Sequence, residues 1–126
     1  MLFRSIERGL YYKKVGADVI FVEAPKTIQE MKKIGSAIDA PLVANMIEGG
    51  ATPISSETKL HEMGFKIILY PLSVLFSNTY ATLQILRELK RSGTTRKLNK
   101  KLVNFDQFND LVELKKYRKL EKQYKK

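Results

Sequence analysis

The stretch A-D-V-I-F-V-E-A-P at residues 17–25 has the pattern of a short buried strand. Its β-branched and aromatic residues favour an extended chain, and the proline that closes it cannot take part in a central strand. The pattern recurs as P-L-V-A-N at residues 41–45 and as K-I-I-L-Y-P at residues 66–71. These three stretches predict three strands, each of which ends in or beside a polar residue.

Four stretches between and beside these strands have helical patterns, with apolar residues at 3 and 4 spacing, a capping box, and closing glycines. Strands that alternate with helices predict an α/β fold with a parallel sheet, because parallel strands need a crossover connection. Strands that are apolar throughout predict burial on both faces. The first predicted helix runs from near residue 1 to Gly16, and the second runs from Thr27 to Ile38. The third is capped by Ser55 and ends at Gly64, and the fourth runs from Val74 to Ser92.

Three parallel strands are few for a complete fold. A (β/α)8 barrel needs eight strands, and an open doubly wound sheet usually has five or more. A sheet of three leaves two unpaired edges, and such edges are templates for association. We therefore expect either that something else completes the sheet or that the chain is part of a larger fold.

The formal net charge of +10 is concentrated near the C-terminus. Residues 87–126 hold fourteen of the 23 Lys and Arg residues but five of the 13 acidic residues. We predict a first region at residues 1–93 and a basic helical segment at residues 94–126. The basic segment carries an apolar stripe, which is typical of an amphipathic helix with solvated lysines. The stripe comprises Leu111, Leu114, Tyr117, Leu120 and Tyr124.

Nucleic-acid binding is the alternative that this charge suggests, but the chain has no recognition motif, zinc finger or paired aromatic platform. We expect no nucleic-acid partner. The absence of cysteine excludes disulfides, iron–sulfur clusters and a thiol nucleophile from this chain, and His61 is its single histidine. No apolar run approaches the ~18 residues that span a bilayer, and the first ten residues do not resemble a signal peptide. We expect a cytoplasmic protein without membrane contact.

Glu23 and Asn45 are the polar residues at the ends of the first two predicted strands. Ligands bind at this edge of parallel α/β sheets, and a buried carboxylate is costly unless it is paired or bound to a metal. Two other interpretations stay open: Glu23 paired with a nearby lysine, and Asn45 bonded to its own backbone as a turn former. The pair Gly49 and Gly50 is not a P-loop, since no Gly-Lys-Ser/Thr follows.

Three ordered segments resemble the phosphoenolpyruvate mutase/isocitrate lyase superfamily, most closely its methylisocitrate lyase-like members. They are S-I-E-R-G-L-Y-Y-K-K-V-G-A-D-V-I-F-V-E-A-P at residues 5–25, A-P-L-V-A-N-M-I-E-G-G-A-T-P at residues 40–53, and G-F-K-I-I-L-Y-P-L-S at residues 64–73. Weaker similarity continues through F-N-D-L-V-E-L-K-K-Y at residues 108–117, which resembles the C-terminal helical segment of the family.

The resemblance implies a partial (β/α)8 TIM barrel, in which this chain supplies strands six to eight with their helices, followed by C-terminal helices. Glu23 would end strand six, Asn45 strand seven and Tyr70 strand eight. The implied function is a magnesium-dependent carbon–carbon lyase that cleaves a 2-hydroxy tricarboxylate to a dicarboxylate and pyruvate. Magnesium would stabilise the enolate oxygen as a Lewis acid.

The resemblance also implies a set of substrate-binding residues. Asn45 would donate to a substrate carboxylate, and Glu23 would orient the groups around it. Gly49, Gly50 and Thr52 would complete an anion-binding pocket through their backbone amides and the threonine hydroxyl.

The motifs that carry metal and acid–base chemistry in the family do not occur in this chain. The family's metal-binding aspartates, substrate-binding arginine and Lys-Cys-Gly-His loop belong to earlier strands of the barrel. We therefore expect no catalytic residue and no magnesium ligand here, and no activity without the missing N-terminal half. The expected partners are a small carboxylate substrate and either further copies of the chain or the missing barrel half.

A non-catalytic, self-associating remnant of the fold is the alternative, and a basic nucleic-acid-binding module is the weaker one. The sequence leaves open which carboxylic acid is the substrate and which oligomeric state the chain adopts. It also leaves open whether the chain is a truncation, a split-enzyme subunit or a remnant.

Overall fold

The computed structural model describes residues 2–125 of the chain. They divide into two compact units, with the boundary between Asn78 and Thr79. This division falls within a long helix, and the sequence-based boundary between residues 93 and 94 stays a prediction. The elements are α1 (Leu2–Lys14), β1 (Ile20–Phe21), α2 (Ile28–Ala37), β2 (Leu42–Asn45), α3 (Glu57–Glu62), β3 (Phe65–Leu69), α4 (Ser73–Ser92), a 3-10 helix (Arg96–Lys101), α5 (Phe105–Leu111) and α6 (Leu114–Tyr124).

The first unit is built on a parallel sheet of order β1-β2-β3. Ile20 pairs with Leu42 at the start of the sheet, and Asn45 pairs with Leu69 at its end. The predicted α/β class with parallel strands is therefore confirmed. β1 is shorter than its apolar pattern predicts, since it covers two residues and the chain leaves the ladder at Val22.

Only one face of this sheet is buried. Leu42 and Phe65 are almost inaccessible, and they pack in one core with Met31 and Ile34 of α2 and Leu60 of α3. The opposite face is open, since Phe21 is 49% exposed, Ile67 40% and Leu69 44%. The prediction of burial on both faces is wrong for residues 2–125, because their helices pack against one face of the sheet and leave these apolar residues accessible.

A glycine sets the distance between two helices of the core. A Cβ atom on Gly35 of α2 would lie 1.6 Å from the backbone oxygen of Met63, which caps α3. No side chain fits there, because a backbone carbonyl cannot rotate away. In α1, by contrast, a Cβ atom on Gly9 would meet the flexible end of Ile38 at 2.7 Å.

Polar side chains cap α2 and α3 as predicted, but two details differ: the capping box of α2 and the cap residue of α3. Thr27 accepts from the backbone N–H of Glu30 at 3.1 Å, but the Glu30 carboxylate accepts from Lys26 and not from the cap itself. α3 is capped by Ser56, one residue later than predicted, because the helix begins at Glu57 and its third N–H reaches that hydroxyl.

The second unit contains the basic helices. Asn104 and Gln107 form a reciprocal capping box at the start of α5, with bonds of 2.8 and 3.0 Å. The predicted single stripe is divided between α5 and α6, because Glu113 adopts a left-handed φ of 52° between them. None of the residues of α5 or α6 is buried. No helix within residues 2–125 has the length and apolar character needed to cross a membrane.

Candidate functional site

The polar residues that follow the strands lie at one edge of the sheet, because all three strands run in parallel. Asn45 is the last residue of β2. Glu23 comes two residues after β1 ends, and Tyr70 directly follows β3. This carboxyl edge is where parallel α/β sheets bind ligands.

Asn45 has a side-chain oxygen that is buried and unpaired. Its Oδ1 atom has no hydrogen-bond partner in the part of the chain that the structure describes. Buried acceptors are nearly always paired, and an unpaired one costs ~1–3 kcal/mol. Asn45 is therefore not a turn former bonded to its own backbone. Its Oδ1 can accept a hydrogen bond from a ligand or a water molecule.

Thr52 lies beside Asn45. Both line a cavity of about 10 Å³, together with Ala24 and Met46. A cavity of this size holds about one water molecule. The structure thus brings two of the predicted site residues together, but this cavity alone is too small for a carboxylic acid.

The two glycines form the tip of the loop that follows β2. The Gly50 N–H donates to the carbonyl of Ile47 at 2.9 Å, and Gly49 takes a φ of +74° at the third position of this turn. Positive φ explains the glycine at residue 49, since other residues are strained there. Both glycines are exposed, and the Gly50 amide would have to give up its bond to Ile47 to bind an anion.

Glu48, at the start of this loop, is bonded to the first residue of α4. The Ser73 hydroxyl donates to the Glu48 carboxylate at 2.5 Å. This bond from Ser73, followed by the backbone N–H of Glu48 itself, lowers the pKa of the Glu48 carboxyl. Glu48 and Ser73 are 25 positions apart in the sequence, so only the tertiary structure brings them together.

Glu23 is exposed, so the argument from a buried carboxylate does not apply to it. It lines a cavity of about 190 Å³ together with Arg8 and Tyr12 of α1. Within residues 2–125 it forms no ion pair, which removes the interpretation of a lysine partner. The Glu23 and Asn45 cavities are separate but share the walls Phe21 and Val22.

The backbone that lines the Asn45 cavity is strained at one residue. Ala24 lines the Asn45 cavity and has a φ of 52°, which is left-handed. That conformation costs a non-glycine residue ~1–2 kcal/mol. Such strain is concentrated at binding and catalytic sites, and here it lies directly between Glu23 and Pro25.

Three curated relatives align with nearly the whole chain. A carboxyvinyl-carboxyphosphonate phosphorylmutase of Arabidopsis thaliana is 42% identical over 95% of this chain and 35% of its own length. The 2,3-dimethylmalate lyase of Eubacterium barkeri is 40% identical over 95% of this chain and 42% of its own length. The 2-methylisocitrate lyase of Aeropyrum pernix is 34% identical over 92% of this chain and 38% of its own length.

The crystal structure of 2,3-dimethylmalate lyase, a PEP mutase/isocitrate lyase superfamily member, superposes on 98% of this chain with a TM-score of 0.81 and 29% identity. The chain belongs to the phosphoenolpyruvate mutase/isocitrate lyase superfamily. A comparison with protein-family models found none that matches the chain. The superfamily relatives are much longer, since the chain spans 35% to 42% of the three curated relatives and 43% of the solved lyase.

A further solved structure that resembles the chain contains a metal ion. Phosphonopyruvate hydrolase in complex with oxalate and Mg²⁺ superposes on 98% of this chain and 44% of its own, with a TM-score of 0.80. At 21% identity this likeness supports the common fold alone. The identities of 34% to 42% with the three curated relatives confirm the predicted membership of this superfamily, and lyases are among those relatives.

A magnesium site does not fit the side chains of this superfamily member. Among residues 2–125 there is no group of three or more His, Cys, Asp or Glu residues that could hold a metal ion. Magnesium requires near-octahedral oxygen ligands, usually including one or two carboxylates. Glu23 lines a different cavity from Asn45, and the Glu48 carboxylate is occupied by Ser73.

Proposed function

We propose that this chain forms the carboxylate-binding part of a carbon–carbon lyase resembling methylisocitrate lyase. Its three strands would serve as strands six to eight of a (β/α)8 barrel, followed by C-terminal helices. The reaction would cleave a 2-hydroxy tricarboxylate to a dicarboxylate and pyruvate. Two relatives that align with more than nine tenths of the chain are named 2,3-dimethylmalate lyase and 2-methylisocitrate lyase, which supports the proposal.

The observation that carries this proposal is the unpaired Oδ1 of Asn45 at the carboxyl edge of the sheet. An asparagine amide offers both a donor and an acceptor without adding charge. Its nitrogen would donate to a substrate carboxylate, and its oxygen would accept from a hydroxyl group or a bridging water. Thr52, which lines the same cavity, would add a hydroxyl group that can also bond the substrate.

Glu23, Gly49 and Gly50 would surround this pair in the complete site. Glu23 is exposed and without an ion-pair partner in the described chain, so it is free to orient a group supplied from elsewhere. The glycine loop would present backbone amides to an anion, as such turns do in other proteins. The substrate-binding set that we propose is therefore Asn45, Glu23, Gly49, Gly50 and Thr52.

The open side of the sheet supports a larger assembly. β1 and β3 each pair with β2 alone in the described chain, so each has a free edge. Parallel sheets are normally covered on both faces, whereas Phe21, Ile67 and Leu69 are accessible here. In our proposal the rest of the barrel covers this face and supplies magnesium with its ligands, so the isolated chain would be inactive.

A self-associating, non-catalytic remnant is the second candidate, and the same open face favours it. Free strand edges and accessible apolar side chains could be buried between copies of this chain. This candidate needs no substrate and no metal. It therefore predicts association without any turnover in a completed barrel.

A chimera separates the two candidates. The segment of the Eubacterium barkeri 2,3-dimethylmalate lyase that aligns with this chain is replaced by this chain, and pyruvate release from 2,3-dimethylmalate and 2-methylisocitrate is measured with Mg²⁺. We expect turnover by the chimera and none by the isolated chain. Asn45→Ala in the chimera should lower kcat/KM, whereas Asn78→Ala, on exposed α4, serves as the matched control.

Each outcome decides between the two candidates. A folded chimera that releases no pyruvate would favour the remnant. Turnover by the isolated chain would refute the claim that the site is incomplete. Equal kinetics for Asn45→Ala and Asn78→Ala would remove Asn45 from the binding set.

A further inference from the structure

The bond between Ser73 and Glu48 joins two connections at the carboxyl edge of the sheet. Glu48 lies three residues after β2, and Ser73 is the first residue of α4, which follows β3. The Ser73 hydroxyl donates to the Glu48 carboxylate at 2.5 Å. The bond therefore ties the loop after β2 to the helix after the neighbouring strand.

The N-terminus of α4 also stabilises the Glu48 carboxylate electrostatically. α4 is 20 residues long and has no acidic residue in its own first turn. The N-terminus of a helix carries a partial positive charge, which a nearby anion stabilises. Glu48 supplies this negative charge from another part of the chain, and it is the first turn of α4 that gains from it.

The loop itself needs an external anchor. Between Glu48 and Thr52 it contains two exposed glycines, of which Gly49 has a positive φ. Glycine gives the chain many accessible conformations, so such a segment is poorly fixed by its own backbone. Thr52 lies four residues beyond Glu48 and lines the same cavity as Asn45, whose side-chain oxygen is unpaired in the described chain.

We propose that Glu48 and Ser73 are positioning residues, whose hydrogen bond holds the loop after β2 so that Thr52 stays beside Asn45. The pair does not contact the substrate in this proposal. It acts through the loop, and its importance for binding rests on the function proposed above. Its effect on the free chain can be measured without substrate.

The protonation state of Glu48 gives a specific readout. Ser73 lowers the pKa of this carboxyl, so the carboxylate persists below the ordinary glutamate range. The Ser73 hydroxyl and then the backbone N–H of Glu48 lower this pKa, desolvation opposes them, and no charged side chain contributes. The bond from Ser73 is therefore charge-assisted at neutral pH and weakens as the pH falls through the lowered pKa of Glu48.

The experiment follows the NMR amide signals of Gly49, Gly50 and Thr52, and the side-chain amide signal of Asn45, in the full chain as the pH is lowered. Ser73→Ala should raise the midpoint of the transition towards the ordinary glutamate value and speed hydrogen exchange at Gly50 several-fold. Ser73→Thr, which keeps the hydroxyl, should retain the wild-type midpoint. Glu48→Gln should abolish the transition.

Ser77→Ala is the matched control, because the Ser77 hydroxyl donates to a carbonyl of its own helix at 2.9 Å. We expect it to leave the midpoint unchanged. If Ser73→Ala does not fold, Glu48→Ala, which removes the acceptor, still decides the question. An unchanged midpoint in Ser73→Ala, or unmoved Thr52 and Asn45 signals in Glu48→Ala, would overturn the proposal.

Measurements on the chimeric lyase distinguish a failure of the loop anchor from a failure of the proposed lyase function. In an active chimera, Ser73→Ala should raise KM several-fold and leave kcat nearly unchanged, and equal KM values would count against a role in positioning the site. An inactive chimera whose free chain shows the expected midpoint shift would refute the proposed lyase function but keep the loop anchor.

Discussion

Replacing Asn45 by leucine should stabilise the isolated chain while it removes ligand binding. The side-chain oxygen of Asn45 is buried and has no partner in the described residues, so the folded state loses its hydration without compensation. Leucine has a similar shape and no polar atom. A gain in stability from the loss of a polar residue is expected where that residue is kept for binding.

The magnitude follows from two opposing contributions. Relief of an unpaired buried acceptor is worth ~1–3 kcal/mol. Leucine is somewhat bulkier than asparagine, and the adjoining cavity of about 10 Å³ absorbs only part of the difference. Overpacking of this kind costs ~1 kcal/mol at the lower end of its range. We therefore expect the free energy of unfolding to rise by about 1 kcal/mol.

The assay is urea-induced unfolding of the full chain, followed by far-UV circular dichroism. Asn78→Leu, at an exposed position of α4, is the control and should change stability by no more than ~0.5 kcal/mol. In the chimeric lyase, Asn45→Leu should lower kcat/KM by roughly 5- to 150-fold, which corresponds to a loss of ~1–3 kcal/mol. A folded Asn45→Leu chain that is destabilised by 1 kcal/mol or more would refute the reasoning, because it would show that the oxygen is satisfied in the native state.

Three further predictions concern the core packing, the cap of α2 and the open face of the sheet. Gly35→Ala should destabilise the chain by about 3 kcal/mol in the same unfolding assay, since its Cβ would overlap a backbone carbonyl. Gly9→Ala, which meets the side chains of Ile38 and Ile20 but no backbone atom, should cost less than ~1 kcal/mol, and equal effects would contradict the packing argument. Thr27→Ala should cost ~1 kcal/mol through loss of the cap of α2, and an unchanged midpoint would exclude a capping role. Ile67→Lys should change stability little but reduce association measured by sedimentation velocity, and an unaltered mass distribution would exclude the open face as a contact between copies.

The helices and their order could be predicted from local patterns. Thr27 caps α2 because its hydroxyl reaches the N–H three residues later, and this needs only neighbouring residues. The choice between Ser55 and Ser56 could not be made in this way, because both serines precede the helix and the register of α3 depends on its packing against the core.

The candidate site was predictable in part. The position of Asn45 at the end of a strand follows from the apolar run before it, and the parallel order brings the strand ends to one edge. The exposure of Glu23 was not predictable, because it depends on where β1 leaves the ladder and on which residues cover it.

The sequence by itself determined the alternation of strands and helices, the polar residues at the strand ends and the resemblance to the superfamily, since each is written in residue types at fixed spacing. Only the tertiary structure decided that one face of the sheet is open, that the oxygen of Asn45 is buried without a partner, and that Ser73 is bonded to Glu48. These features depend on atoms from segments distant in the chain, whose relative positions are fixed by packing of the core and not by the local pattern.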